Sequence, residues 1–137
     1  MAAGNFQWYH SFKGLMGQTG ALFTGTGADT FYIDLLSSSY TPDLANHADT
    51  GDLTGALGSP GPVTLTGVTW TVSSGTWTLD FNDGVFDYGT STTAKYAVVY
   101  RDSDNALVGY WELDTGTTVT ATKITCQINA SGAGTLS

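Results

Sequence analysis

Apolar residues recur at every second position along this chain, and the pattern restarts several times. Val63 and Leu65, then Val68, Trp70 and Val72, then Trp77, Leu79 and Phe81 alternate with Thr64, Thr66, Thr69, Thr71, Thr78 and Asp80. A period of two belongs to a pleated strand with one dry face and one wet face. Phe31, Ile33 and Leu35 share one face of a strand predicted over 30–36. The apolar parity is odd up to Leu65 and even from Val68, so the slip falls at Gly67, where a β-bulge would restore the inward face. Ser73-Ser74-Gly75 predicts a hairpin between strands 63–72 and 76–81. Asn82-Asp83-Gly84 predicts a second turn before a short strand near 85–88. Residues 94–101 are apolar on both faces and read as a central strand covered on two sides. Strand 106–113 places Leu107, Trp111 and Leu113 together. Strand 118–129 turns Ile124, Cys126 and Ile128 inward.

The rest of the chain is less regular. Trp8, Phe12, Leu15 and Met16 form a helical stripe, while Phe6, Trp8 and His10 would alternate as an edge strand. A short amphipathic helix is the preferred reading of 6–17. From Ser37 to Gly61 no period stands out, and a short helix is predicted near Thr41-Pro42 because proline suits a first turn. The tail, Ser131 to Ser137, is small and polar and is expected to be loosely held. About seven or eight short strands at this turn spacing predict a sandwich or closed barrel. The expectation is an all-β, single-domain antiparallel β-sandwich, jelly-roll-like, or a barrel. An N-terminal arm or short helix occupies 1–28 and the sandwich 29–137.

Composition narrows the function. The chain has 137 residues, and charged residues are only 12% of it, about half the usual share. Threonine, serine, glycine and asparagine must therefore coat the surface. Lys+Arg number 4 against 12 Asp+Glu, a net charge of -8. Lys13, Lys95, Arg101 and Lys123 are scattered singly, so no basic stripe can neutralise phosphates, and nucleic acid is not an expected partner. An anionic membrane would repel the chain, and its apolar runs are too short to span a bilayer. Met1 to Asn5 has neither the basic nor the apolar segment of a secretory signal, so use without Sec export is expected.

The residues offer little chemistry. His10 lies among aromatics and His47 in a polar loop. No nucleophile elbow, paired-histidine zinc motif or C-x-x-C spacing is present. Glu112 is the only glutamate. Aspartates gather at turns, as Asp80/Asp83/Asp87 and Asp102/Asp104. Asp80-Phe81-Asn82-Asp83-Gly84 approaches a calcium loop but lacks its closing glutamate, and turn capping accounts for the acids. No cofactor, no metal and no catalytic residue are expected, and the protein is not expected to be an enzyme. Cys126, the only cysteine, reads as a buried inert thiol. Trp70, Trp77 and Trp111 read as core. Phe6, Trp8, Tyr9 and Phe12 precede the main core and either staple the sandwich or dock on a neighbour; they are the candidate partner-binding residues.

The order of several short segments carries a resemblance. They are Phe12-Lys13, Leu15-Met16-Gly17, Asp29 to Leu35, Ser38-Ser39-Tyr40-Thr41-Pro42-Asp43, Leu65-Thr66-Gly67, Ala94 to Asp102 and Ile128 to Gly132. In this order the chain resembles a group of small structural proteins of tailed bacteriophages, along nearly its whole length. The Gly-rich stretch from Gly17 to Gly27 departs from that group. The resemblance implies a β-rich virion protein, a capsid decoration or cement protein without catalytic residues. Its expected partner is the major capsid protein on the outer surface of the head, with assembly in the host cytoplasm. Self-association, as a trimer at local three-fold points, is also expected. A tail, head–tail joining or fibre component is the neighbouring alternative. A carbohydrate-binding β-sandwich is the alternative of another class, and a hydrolase comes last.

Overall fold

The computed structural model describes residues 3–18, 23, 28–126 and 133–136. The described strands are β1 (Gln7–Trp8), β2 (Phe31–Leu36), β3 (Val63–Thr64), β4 (Thr69–Ser73), β5 (Thr76–Asp80), β6 (Gly84–Ala94), β7 (Tyr96–Arg101), β8 (Leu107–Glu112), β9 (Val119–Cys126) and β10 (Gly134–Leu136), with one helix, α1 (His10–Gln18). The chain is all-β and sandwich-like. One layer is a five-stranded sheet ordered β1-β8-β7-β2-β3; the other holds a three-stranded sheet, β10-β5-β4, and a ribbon, β6-β9. Their pairings are antiparallel.

Alternation builds the interior as predicted for β2, and β7 is covered on both faces as its continuous apolar run predicts. Phe31, Ile33 and Leu35 of β2, with Ala97 and Val99 of β7, meet Leu79, Phe81, Phe86, Ile124 and Cys126 from the second layer. Each buried Val, Leu, Ile or Phe among them contributes about 1.5–3 kcal/mol. The opposite face of the same sheet is also covered. Tyr96 and Val98 of β7, Leu36 and Leu107 pack with Tyr9 and Tyr40, flanked by Leu44 and Leu53. The connection after β2 therefore lies as a strap over the sheet. Ser37 N donates to Gly55 O at 2.9 Å, Leu107 N to Ala48 O at 2.9 Å and His10 N to Leu44 O at 3.0 Å. In place of a helix at Thr41-Pro42, the strap holds a single 3-10 turn, Thr50–Asp52, closed by a capping box between Asp49 and Asp52.

Four further details depart from expectation. Gly67 does not bulge one strand; it is the corner at which the chain leaves the first sheet (β3) for the second (β4). Its φ is +61, and a Cβ there would sit 2.6 Å from the Asn82 amide. The bulge lies in β8 instead: Val99 pairs with Gly109 and Tyr100 with Leu107, so Val108 is the extra residue. That insertion sends Leu107 to the strap side, away from Trp111 and Leu113. The tail contributes β10, with Gly134–Leu136 pairing along β5. The N-terminal segment holds both forms weighed for it, the edge strand as β1 and the short helix as α1, and the departure is that β1 pairs with β8 and so belongs to the first sheet and not to a separate arm. Ile128 and the end of the predicted last strand lie outside the described residues.

Candidate functional site

Two aromatic assemblies sit on opposite sides of the first sheet. On the sandwich side, Trp8 meets Phe6 at 4.9 Å between ring centroids and Trp70 at 5.9 Å. Trp70 in turn stacks on Trp77 at 5.3 Å with only 15° between the planes. The series thus runs from the interior to the end of the β4–β5 hairpin. Trp70 pairs with buried Leu79, and Val72 with Trp77, nearer the turn. There the core ends: Val72 is 52% and Trp77 39% exposed. The hairpin overhangs the sandwich with one apolar face partly uncovered. Sequence reasoning assigned Trp77 to the core. Its alternation is correct, but period two gives a face and not the point along a strand at which cover stops.

The four residues expected to meet a partner lie elsewhere. Trp8, Tyr9 and Phe12 are 7%, 0% and 0% exposed, and Phe6 packs against the same core. Phe6 is wedged between β8 and β10: a Cβ added to Gly109 or Gly134 would fall 2.2 or 2.6 Å from its ring. The Trp8 indole Nε1 donates to Thr135 O at 2.8 Å, tying β1 to β10. Of the two roles considered for this cluster, the geometry is that of a staple.

On the strap side a hydrogen-bonded chain runs Tyr9–Tyr40–His47. The two hydroxyls are 2.5 Å apart, and the Tyr40 hydroxyl is 2.9 Å from His47 Nδ1. The Asp43 N–H also points at Nδ1, at 3.3 Å. With the Tyr40 hydroxyl and that N–H both donating, Nδ1 accepts and the ring proton sits on Nε2. Burial, followed by the bond to Tyr40, holds the Tyr9 hydroxyl far above the ordinary phenol range. Such a tyrosine is a structural hydroxyl, not an acid at work near neutral pH.

The carboxylates serve the backbone. Asp43 accepts from Asn46 Nδ2 at 2.8 Å and from the N–H groups of Ala45 and Asn46, and the Asn46 contacts hold its carboxyl below the usual range. Asp52 accepts from Ala48 N at 2.8 Å, with the same effect. Asp104 accepts two guanidinium bonds from Arg101, at 3.0 and 2.6 Å, which lower its pKa. Asp34 moves the other way, raised by burial. Burial, with Asp83 adding, pushes the Cys126 thiol up to about 12, so it is no nucleophile. Among the described residues no group of three or more His, Cys, Asp or Glu could hold a metal ion. Among the described residues, one cavity of about 40 Å³ lies beside Cys126 and one open recess of about 230 Å³ is lined by Gly4, Asn5, Gln7, Tyr110, Glu112 and Thr115. Both fall short of the roughly 300–1,000 Å³ of a small-molecule pocket.

No protein-family model, curated protein or solved structure matches the chain. The arrangement itself must carry the reading. Among the described residues three large apolar side chains are exposed, Val85 singly on β6 and Val72 with Trp77 as a cross-strand pair, and the ordered feature is this pair at the end of the hairpin. Flat, aromatic and uncharged, it can adhere to a surface but has no group to make or break a bond.

Proposed function

We propose that this chain is a virion structural protein, a capsid decoration protein that binds the lattice of the major capsid protein on the outer head surface and stabilises it. One observation carries the adhesive part: Val72 and Trp77 stand exposed on an overhanging hairpin, with Trp77 held flat against Trp70. A rigid aromatic anchor loses little entropy on docking and is the kind of residue that dominates a protein–protein contact. The resemblance of the ordered segments from Phe12 to Gly132 supplies the viral part. The contact residues in this reading are Trp77 and Val72, and Phe6, Trp8, Tyr9 and Phe12 hold the hairpin's foundation.

The test is an inventory by mass spectrometry of purified particles carrying this protein. A decoration protein is present in hundreds of copies per particle, by the repetition of a capsid lattice. A handful of copies would move the protein to the tail or a vertex and overturn the shell assignment. Trp77→Ser should strip the protein from otherwise intact particles while its circular dichroism stays unchanged.

The same Trp70–Trp77 stack favours one reading of another class. An indole backed on one side and open on the other is a platform on which a sugar ring can lie. A glycan array, with Trp fluorescence titration of any hit, separates the two: saturable binding lost in Trp77→Ser would favour the carbohydrate module.

A further inference from the structure

Sheet edges usually carry devices that stop them pairing with another chain: shortness, charge, proline or a bulge. Most edges here carry one. β1 and β3 are two residues long and β10 three. β6 bears Asp87 and loses register between Asp87 and Thr92, and β9 bears Lys123. β4 is different. It is five residues long, Thr69-Trp70-Thr71-Val72-Ser73, with no charge and no proline, and its pairing with β5 is unbroken. Among the described residues it has a neighbour on one side only. All of its residues but Trp70 are exposed.

The register says which backbone groups that edge presents. Ser73 pairs with Thr76 across a two-residue turn, with φ of 50 at Ser74 and 80 at Gly75. Such a turn makes the flanking pair a hydrogen-bonded one. Ser73, Thr71 and Thr69 therefore spend their N–H and C=O on β5, while Trp70 and Val72 direct theirs outward. A strand whose outward residues are Trp70 and Val72 is complementary to itself. Turned about a two-fold axis at Thr71, Trp70 faces the partner's Val72 and exchanges both hydrogen bonds with it, and Thr71 faces the partner's Thr71.

We propose that two copies of this chain pair antiparallel through β4, making one continuous sheet, β10-β5-β4-β4-β5-β10. Charge favours a second copy here. From Leu53 to Leu79 there is no charged residue, although the whole chain carries -8. The nearest carboxylate, Asp80, is opposite Thr69. In the paired sheet the two Asp80 groups lie at opposite ends, roughly 20 Å apart by strand spacing and rise. That is more than twice the Debye length of about 8 Å at physiological salt. The overhanging Val72 of each copy, half-exposed in the single chain, comes to lie against the partner's Trp70. The inference stands on the strand edge and requires no virion.

Sedimentation of the isolated chain over a concentration series tests it. The mass should rise from 14.3 kDa towards twice that value. Val72→Pro removes an outward N–H without touching the β5 ladder, and Thr71→Lys sets two like charges side by side at the axis; both should remain single chains with unchanged circular dichroism. Thr71→Cys should cross-link under oxidised glutathione, because directly opposed residues fall within disulfide reach. Thr69→Cys, which faces the partner's Ser73, should not. A single-chain mass throughout, a trimer mass, association of Val72→Pro equal to that of the unaltered chain, or cross-linking of Thr69→Cys as fast as Thr71→Cys would each overturn the two-fold edge. Because no shell is present, these outcomes leave the decoration assignment untouched.

Discussion

Tyr40 shows how much one hydroxyl can organise. It is the middle of the Tyr9–Tyr40–His47 chain, so Tyr40→Phe strands the buried Tyr9 hydroxyl and removes a donor from His47. We expect a loss of about 1–3 kcal/mol, the cost of an unsatisfied buried polar group. Tyr9→Phe removes only an end of the chain and should cost less; urea denaturation of the two variants checks the order. Tyr88 makes the alkaline limb predictable. Burial, followed by Asp34, lifts its pKa from 10.0 to about 12. The unfolded chain then ionises this phenol first, so its contribution is whole below pH 10.0 and is lost as pH rises towards about 12. Denaturation midpoints should fall across that window, and less steeply in Tyr88→Phe. In acid, Asp43, Asp52 and Asp104 sit below their ordinary value of 3.8. Their contribution is present above that value and lost as pH drops through their lowered pKa values.

Among the elements, β1 is held by a slot. The Phe6 ring fills the space over Gly109 and Gly134 that side chains would otherwise take. Gly109→Ala should therefore cost about 1–3 kcal/mol by overpacking. In a Phe6→Ala background the ring clash is gone and only the Gln7 carbonyl oxygen, 2.8 Å from the added methyl group, still opposes it, so a double-mutant cycle should give a coupling that recovers part of the cost, and additivity would argue against the slot. The elements also show what is legible in the sequence. β2 and the β4–β5 hairpin follow from alternation and from Ser74-Gly75, being long enough for a period of two to repeat, and β7 follows from its unbroken apolar run. β1 and β10 are two and three residues long, too short to carry a period, and only their partners define them. At Gly67 the expected bulge is a corner, and at Val108 the bulge leaves no mark in the sequence, since Leu107, Trp111 and Leu113 keep one parity. A break in parity marks a bulge and a corner alike, and which one it is depends on the sheet the chain joins next. The Asp49–Asp52 cap has a signal in its spacing, but the surrounding loop lacks the apolar periodicity that would mark a helix start. For the candidate site, the pairing of Val72 with Trp77 was legible and their exposure was not.

For the whole molecule, the aromatic residues near the start of the chain are core. Replacing a single buried Phe or Trp with Ala costs about 3–5 kcal/mol. Removing residues 1–12 takes away Trp8, Tyr9 and Phe12 together, which exceeds much of the roughly 5–15 kcal/mol that holds a domain folded. The shortened chain should show collapsed dispersion in a heteronuclear NMR spectrum; a folded spectrum would mean that the second layer stands alone. The bond from the Trp8 indole to Thr135 bears on how the molecule comes into being. A ribosome delivers residue 8 long before residue 135. Until the later one emerges, the indole has no acceptor and β5 has one bare flank. Closure must therefore wait for the far end of the polypeptide, and a nascent chain paused short of it would offer unsealed tryptophan surface to whatever chaperone is at hand.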